Sequence, residues 1–557
     1  MKGMILRALV FCIASAGIVL GQPNARDQGI PVTDPLVIAK CGACHAPDQQ
    51  GNMQRISWER STPEGWQDAL KRMIVVNGVS LTPPEARSIV KYLSTSHGLA
   101  PEEARPIMYD AERLIHEETN LPSETVRRTC TKCHTFARVL SWRRSPSDWK
   151  QFDDLHAARF HFPPSEETVA FLTAAAPLHT PEWDAWSAHT PKSNLTGRWL
   201  LTASIPGRGK FYGEMRVEPA DPADPGNDEF NTSVLLTSVN DGSGILRAGR
   251  SAVFDAYAWR GRSKGKESPS SAPDDLNSEA REVLWISPDQ STAQGRWFWG
   301  QYQEFGFGVN LRRPSTTDPT LMLVDRSSLK TGSQTNRVRL IGDRFPAAVS
   351  AADLDFGPGI AVRRIVSNNP REVIAEVDVA PDTPLGKRDV SLLRSVAPGA
   401  IAIYDRVDYI KVVPDSALAA FGDQTHHPGF QQFQATGYQR GPDGKSHTAD
   451  DVDLGPIGPL GPNDNVSWSL EVFYAAPGSS SDFVGKVSPT GFFTPAAQSA
   501  KTNFDVWVIA TAHGEKDKNG KPLVGKSYLV VTVPSYTLNG HRYVRDLDRW
   551  VDDGAAQ

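Results

Sequence analysis

Two copies of one short motif constrain this sequence more than any other feature. Each copy is a Cys-x-x-Cys-His unit, and the two copies occupy residues 41–45 and 130–134. In such a unit the thiols can bond covalently to the vinyl groups of haem, and the histidine can bind the iron. The sequence therefore predicts two covalently bound haem c groups. Their attachment residues would be Cys41, Cys44, Cys130 and Cys133, and their first iron ligands would be His45 and His134.

The paired cysteines have two other interpretations. A zinc site could use both pairs, or each pair could form a disulfide, although such a short loop strains that bond. The chain has only 5 cysteines, and the fifth, Cys12, lies in the apolar N-terminal segment. Because no cysteine of the mature chain is left outside the motifs, the pattern favours haem attachment.

The N-terminal residues have the pattern of a secretory signal peptide. Lys2 and Arg7 give a positive start, and an uncharged apolar run extends from Ala8 to Leu20. A run of this length is typical of export and is too short to span a bilayer. We predict a cleaved signal peptide at residues 1–21, with an uncleaved anchor as the alternative. The mature chain would then be periplasmic in a Gram-negative source, with no membrane span.

The sequence after each motif repeats itself. The string Ser-Trp-Glu-Arg-Ser at residues 57–61 has a counterpart, Ser-Trp-Arg-Arg-Ser, at residues 141–145, and a Pro and a second Trp follow each. Met73 and His156 lie seven residues beyond those second tryptophans. This spacing puts each of them on the tryptophan-bearing face of a predicted helix. We predict that Met73 is the sixth ligand of the haem at His45, and His156 that of the haem at His134.

Other side chains compete for the two sixth positions. Met53 and Met108 could serve the first haem, and His116, His161 or His179 the second. A thioether ligand raises the potential of a haem above that given by a second imidazole, so the predicted haems would differ in potential. Four tryptophans are expected to pack around the porphyrins, namely Trp58, Trp66, Trp142 and Trp149.

The hydrophobic pattern of the sequence changes after about Trp186. Helical periodicity ends, and short alternating runs such as residues 372–377 and 528–533 follow, bounded by Gly, Pro, Asn and Asp. We predict a multidomain fold in which an α-helical di-haem cytochrome c domain is followed by three all-β domains of sandwich, barrel or immunoglobulin-like type. The expected domains are a di-haem domain at 22–186, a β-barrel-like domain at 187–313, an immunoglobulin-like β-sandwich at 314–414 and a β-sandwich at 415–557.

The mature sequence resembles the alpha subunit of the quinohemoprotein amine dehydrogenase family over nearly its whole length. Besides the haem motifs, the resemblance depends on strings in the β-rich part. They include Trp-Arg-Gly-Arg at 259–262, Gly-Arg-Trp-Phe at 295–298, Asp-Leu-Asp-Phe-Gly-Pro-Gly-Ile at 353–360, Tyr-Asp-Arg-Val-Asp-Tyr at 404–409, Gly-Pro-Asp-Gly-Lys at 441–445, Asp-Asp-Val-Asp-Leu-Gly at 450–455, Trp-Ser-Leu-Glu at 468–471 and Thr-Val-Pro at 532–534.

The resemblance implies a role in a heterotrimeric oxidoreductase. The expected partners are a β-propeller subunit and a small subunit with a cysteine tryptophylquinone, on which a primary amine is oxidised to an aldehyde and ammonia. Electrons would pass through both haems of this chain to a soluble periplasmic cytochrome c or cupredoxin. We predict no catalytic residue on this chain. A formal net charge of −5 argues against a nucleic-acid partner. The alternatives are a di-haem cytochrome c peroxidase-like enzyme and a non-catalytic haem-bearing assembly protein.

Overall fold

The computed structural model divides into two compact units. One consists of Met1–Glu59 and Arg144–His179, and the other of Arg60–Arg143 and Thr180–Gln557. The structure describes residues 28–108, 124, 135–161, 163–224, 226–300, 302–458, 466–474, 480–497, 500–517 and 519–533. The predicted signal peptide lies outside these residues. Within them, no helix is both long enough and apolar enough to cross a membrane.

The first third of the chain is built from helices. Most begin with a proline in the first turn after a capping Asp, Ser or Thr, which satisfies an otherwise unpaired backbone N–H. The helices include α1 (Pro35–Cys41), α2 (Pro63–Asn77), α3 (Pro83–Ser96), α4 (Pro101–Ala104), α5 (Phe136–Leu140), α6 (Pro146–Phe160), α7 (Glu166–Ala175) and α8 (Pro181–His189). Short strands precede α2 and α6, namely β1 (Glu59–Ser61) and β2 (Trp142–Arg144). The expected α-helical di-haem cytochrome c fold of this part stays a prediction.

A closed antiparallel barrel follows the helices. Its strands are β3 (Gly197–Ile205), β4 (Gly209–Pro219), β5 (Glu229–Ser238), β6 (Gly244–Phe254), β7 (Ala258–Gly265), β8 (Ala280–Ile286), β9 (Thr292–Trp299) and β10 (Phe305–Arg312). They run in sequence order around the barrel, and β10 closes it by pairing with β3. Alternate residues of β5 are buried, as the period of two in a strand requires when one face meets a core.

Two four-stranded sheets come next and share one hydrophobic core. Their strands are β11 (Thr320–Val324), β12 (Ser328–Lys330), β13 (Asn336–Asp343), β14 (Leu354–Asp355), β15 (Ile360–Asn369), β16 (Glu372–Val379), β17 (Gly386–Leu392) and β18 (Ser395–Tyr404). One sheet has the order β11-β13-β16-β15 and the other β12-β18-β17-β14. Val338 and Val373 of the first sheet pack in the same core as Val390 and Ile401 of the second. This arrangement is a β-sandwich.

The last sheets enclose a second large core. Their strands are β19 (Tyr409–Val413), β20 (Ser416–Ala420), β21 (Gln431–Gln432), β22 (Gln434–Gln439), β23 (Val452–Pro456), β24 (Val466–Val472), β25 (Gly485–Val487), β26 (Phe492–Pro495), β27 (Phe504–Lys516) and β28 (Pro522–Thr532). The sheet orders are β19-β22-β23, β20-β28-β27-β24 and β21-β26-β25. Since β19 pairs with β22, it belongs to this last group. The domain boundaries expected from the sequence stay predictions. The expected β-rich character of the chain after the helices is confirmed.

Candidate haem-binding site

The first Cys-x-x-Cys-His motif continues the last turn of α1. The carboxylate of Asp34 caps the start of this helix by accepting the N–H of Val37 at 2.8 Å. At the other end, the carbonyl of Cys41 accepts the N–H of Cys44 at 3.1 Å and that of His45 at 2.9 Å. The motif therefore folds as a helical turn that holds its three functional side chains close together along the chain.

Both cysteines of this motif carry free thiols. Cys41 is half-buried and Cys44 is exposed, and neither forms a disulfide. Burial, and then the neighbouring Cys44, raise the pKa of the Cys41 thiol. The pair is therefore available to a group outside the polypeptide, as covalent haem attachment requires.

The ring of His45 is oriented by a backbone carbonyl. Its Nδ1 lies 2.8 Å from the carbonyl oxygen of Gln54. Because a carbonyl can only accept, Nδ1 carries the proton and Nε2 keeps a lone pair for a metal. The loop that supplies this carbonyl is folded by a backbone bridge between Pro47 and Met53. Two free thiols beside a histidine held in this tautomer fit haem c.

The second motif lies outside the described residues, and so does the competing ligand His116. The attachment residues Cys130 and Cys133, together with the iron ligand His134, therefore stay predictions.

Met73 lies near the C-terminal end of α2. Its side chain is half-buried, and the amide nitrogen of Asn77 lies 3.5 Å from its sulfur. The next turn presents Val75 and Val76, which are 63% and 70% exposed. Exposed aliphatic side chains beside a thioether suit contact with a flat apolar group such as a porphyrin.

His156 occupies a comparable place on α6. Its half-buried ring lies between the rings of Phe152 and Phe160, with centroid distances of 5.0 Å and 4.7 Å. Phe160 and the neighbouring Leu155 are both about half exposed, at 54% and 51%. This helix therefore also presents an apolar surface around the predicted ligand.

The predicted ligand pairs combine residues from both compact units. Cys41, Cys44, His45 and His156 belong to one unit, and Met73 belongs to the other. Which sixth ligand serves which iron therefore stays a prediction.

The competing ligands differ in their surroundings. Met53 is completely buried, and Met108 is half-buried. His161 is exposed at the left-handed end of α6, where its φ is 58°. His179 already has Nε2 at 2.7 Å from the carbonyl oxygen of Gln28. An iron bond through that nitrogen would require this contact to break.

The helices α2 and α6 are built to the same plan. Each has 15 residues, begins with proline after a hydroxyl cap and ends in a left-handed residue. The indole N–H of Trp66 donates to the carbonyl of His97, the cap residue of α3. That of Trp149 donates to the carbonyl of Ala176, the cap residue of α7, and both distances are 2.9 Å. Both tryptophans are core residues. Met73 and His156 each lie seven residues after one of them, so the two predicted ligands occupy equivalent places on α2 and α6.

A buried ion cluster near α2 was not predicted from the sequence. The guanidinium of Arg60, which is fully buried, donates to both carboxylate oxygens of Glu103 at 2.8 Å and 3.0 Å. Arg143 donates to the same carboxylate at 3.3 Å. Burial alone would raise the pKa of Glu103, but the hydrogen bond and charge of Arg60 and the charge of Arg143 lower it to about 2. Two arginines thus share one ionised carboxylate.

A second cluster near α6 has the opposite composition. Arg144 bonds to the carboxylates of both Glu59 and Asp148, and all three side chains are buried. Burial, together with the charge of Glu59, outweighs Arg144 and raises the pKa of Asp148 to about 6. The arginines in the repeated strings at residues 57–61 and 141–145 were the sequence feature that could have indicated both clusters. Their acidic partners are distant in sequence, except for Asp148.

Comparisons with known proteins give four matching family models. They are described as quinohemoprotein amine dehydrogenase A, alpha subunit, haem binding (residues 32–172) and as the alpha subunit's domain II (192–314), domain III (318–405) and domain IV (410–540). The search of curated proteins gave no match.

Solved structures resemble the chain only weakly. A redesigned beta barrel is 16% identical, with 22% of this chain and 92% of that chain covered and a TM-score of 0.17. Tandem Ig repeats of Dlar are 11% identical, with coverages of 39% and 98% and a TM-score of 0.13. A SusE-like surface located polysaccharide binding protein from the Bacteroides thetaiotaomicron heparin utilisation locus is 9% identical, with coverages of 62% and 69% and a TM-score of 0.12.

Proposed function

Because this chain belongs to the quinohemoprotein amine dehydrogenase alpha subunit family, we propose that it is the electron-transfer subunit of a periplasmic amine dehydrogenase. It would be exported through its signal peptide and would assemble with a β-propeller subunit and a small tryptophylquinone subunit. The observation that carries the proposal most directly is the pair of free thiols beside His45. They lie inside the segment that matches the family's haem-binding model.

The chain would hold two haems through its own side chains. Cys41 and Cys44 would attach the first haem, with His45 binding the iron through Nε2 while the Gln54 carbonyl retains the proton on Nδ1. Residues 130–134 would do the same for the second. Bound haem supplies reversible one-electron chemistry. Oxidation of a primary amine to an aldehyde and ammonia releases two electrons, which two such groups can take up.

The amine-oxidising site would lie on another subunit. A quinone formed from tryptophan and cross-linked to cysteine needs a cysteine of its own, and every cysteine after Cys12 belongs to a haem motif. This chain would therefore conduct electrons from its partner to a soluble acceptor without contacting the amine.

Purification of the assembled complex tests whether amine oxidation takes place on a different subunit from the haems. Addition of a primary amine should reduce the haems of the complex, which the visible absorption spectrum reports. The same amine should leave the haems of the isolated, haem-loaded chain oxidised, while dithionite reduces them. Amine-dependent reduction of the isolated chain would contradict the proposal. Recovery of the chain only as a monomer with peroxidase activity and a high-spin iron would support the peroxidase-like alternative.

The assignment of sixth ligands needs variants with a single haem. In a Cys130→Ser/Cys133→Ser background only the first haem remains, and Met73→Ala should convert its iron from low-spin to high-spin in the electron paramagnetic spectrum. His156→Ala should leave that iron unchanged. The reverse result would assign His156 to the iron of His45, the residue with which it shares a compact unit.

A further inference from the structure

A cavity of about 400 Å³ lies where the barrel meets the following sandwich. Its residues come from the end of β10, the loop to β11 and the tight turn between β17 and β18. We call this cavity the basic cleft. Its lining includes Arg312, Arg313, Ser315, Asp318, Arg394 and Ser395.

The lining of the basic cleft is positively charged, although the whole chain is acidic. Three arginines face a single carboxylate, that of Asp318, whereas the formal net charge of the chain is −5. Arg312 and Arg394 are both exposed, and neither forms an ion pair with any carboxylate in the described part of the chain. Two guanidinium groups on different β-structures therefore lack a counter-charge.

The third arginine has a structural role. The guanidinium of Arg313 lies 4.1 Å from the centre of the Trp199 ring and donates to the carbonyl of Thr196 at 2.7 Å. These contacts fix the loop at the start of the cleft. Arg313 adds positive charge there while its hydrogen-bond donors are largely committed to the backbone.

Two serines hold the frame of the cleft and still have a donor to offer. The hydroxyl oxygen of Ser315 accepts the N–H of Asp318 at 2.9 Å. That of Ser395 accepts the N–H of Leu321 at 2.7 Å, which ties the β17–β18 turn to β11. A hydroxyl that accepts a hydrogen bond can still donate its own proton. The cleft thus combines exposed charged donors with hydroxyl donors whose oxygens are bonded to the backbone.

We propose that the basic cleft binds a small free oxyanion of the phosphate or sulfate class. The guanidinium groups of Arg312 and Arg394 would each donate charge-assisted hydrogen bonds, for which a planar fork suits a tetrahedral oxyanion. The hydroxyls of Ser315 and Ser395 would bind its remaining oxygens. Because Arg312 ends a barrel strand and Arg394 lies in the sandwich, the bound anion joins the two.

Calorimetric titration of the full haem-loaded chain tests the proposal. Inorganic phosphate and sulfate are titrated in a chloride buffer of constant ionic strength, so that general salt screening does not change. We expect saturable binding of one anion per chain and a thermal midpoint that rises with anion concentration. Arg312→Gln and Arg394→Gln should each weaken binding by about tenfold or more, since each removes a charge-assisted contact.

Arg216→Gln is the matched control, because Arg216 is an exposed barrel arginine outside the cleft. It removes the same charge and should leave binding unchanged. Arg394 lies at an exposed turn, so Arg394→Gln still gives a result if Arg312→Gln does not fold. Absence of saturable binding to the wild type, or equal weakening in all three variants, would overturn the proposal. Either result leaves the haem proposal unaffected, since no haem residue lines the cleft.

Discussion

Helices α2 and α6 have the same frame and differ at the place where an iron ligand is predicted. Each starts with a hydroxyl cap and a proline, and each buries a tryptophan whose indole N–H reaches the cap carbonyl of the following helix. One carries Met73 and the other His156 at the equivalent position. The residues that build the frame are distinct from the predicted ligand, so the ligand can differ while the frame is retained.

The buried ion clusters beside α2 and α6 differ in their proportions of arginine and carboxylate. Near α2, Arg60 and Arg143 share the carboxylate of Glu103. Near α6, Arg144 is shared by Glu59 and Asp148. In the first cluster two arginines surround one carboxylate, whose pKa is lowered, and in the second two carboxylates surround one buried arginine, with the partly exposed Arg55 3.7 Å from Glu59, and the pKa of Asp148 is raised. Their stabilities should therefore respond to pH with opposite signs.

The largest effect is expected from removing the tryptophans that define the shared frame. Trp66→Ala and Trp149→Ala should each lower the free energy of unfolding of the helical part by about 3–5 kcal/mol, because each empties a core site. The two side chains are only 3% and 1% exposed. Each variant also loses an indole hydrogen bond. Urea unfolding of the haem-loaded chain, followed by haem absorbance, measures the change. A large loss in one variant and less than about 1 kcal/mol in the other would show that the frames are not equivalent.

Glu103→Gln should destabilise the chain by about 3 kcal/mol at neutral pH, because it removes the ionised carboxylate that the buried Arg60 and Arg143 share. The folded-state pKa of Glu103 is about 2, below its ordinary value of 4.5. Its contribution is therefore fully present above the ordinary value and is lost as the pH falls toward 2. The free energies of unfolding of the wild type and Glu103→Gln should therefore converge as the pH falls across this acid range. Glu102→Gln, at an exposed neighbour, should have little effect, and an equal loss in both variants would contradict the assignment.

Asp148 should give the opposite pH dependence. Its folded-state pKa of about 6 exceeds the ordinary 3.8, so the folded chain binds this proton more tightly and loses that advantage as pH rises through 6. Wild-type stability should fall by about 1–2 kcal/mol between the two pKa values, and Asp148→Asn should flatten this slope. Asp154→Asn, at an exposed position of the same helix, serves as the control. An unchanged slope in Asp148→Asn would assign the titration to another group.

The smallest effect is expected at the helix caps. The hydroxyls of Thr62 and Ser145 accept the N–H of the third helical residue at 3.3 Å and 3.2 Å. Thr62→Ala and Ser145→Ala should each cost about 1 kcal/mol of unfolding free energy. Thr62→Ser retains the acceptor and should lose much less. Calorimetric melting of the haem-loaded chain measures both, and a neutral alanine variant would show that this cap does not stabilise its helix.

Much of the fold could be predicted because it depends on local patterns. The family, the helices that follow each motif and the β-rich remainder all carry signals within short stretches of sequence. The exact alignment of the two repeats was harder to predict from the sequence. The repeated strings align Arg60 with Arg144, but the structure matches Arg60 with Arg143, since both bind Glu103. The cap residues Thr62 and Ser145 occupy equivalent positions before α2 and α6. Thr62 is an extra residue between the first repeated string and α2, so the arginines align one position earlier in the second string.

Contacts between distant residues explain what the sequence did not reveal about the site. The Gln54 carbonyl is a backbone group, so its bond to His45 has no residue-type signal. Glu103 lies far along the chain from Arg60 and Arg143, and only the tertiary fold brings the three together. The same applies to the basic cleft, where Arg312 and Arg394, which form no ion pair with a described carboxylate, come from separate β-structures.

We propose that this chain holds two haems, with their predicted sixth ligands on the equivalent helices α2 and α6. The intact mass of the purified mature chain, with its haemochrome absorbance, measures the number of covalent haems directly. We expect two haems in the wild type, one in Cys41→Ser/Cys44→Ser and one in Cys130→Ser/Cys133→Ser. A wild-type chain with a single haem or none, or a variant that loses both, would contradict it.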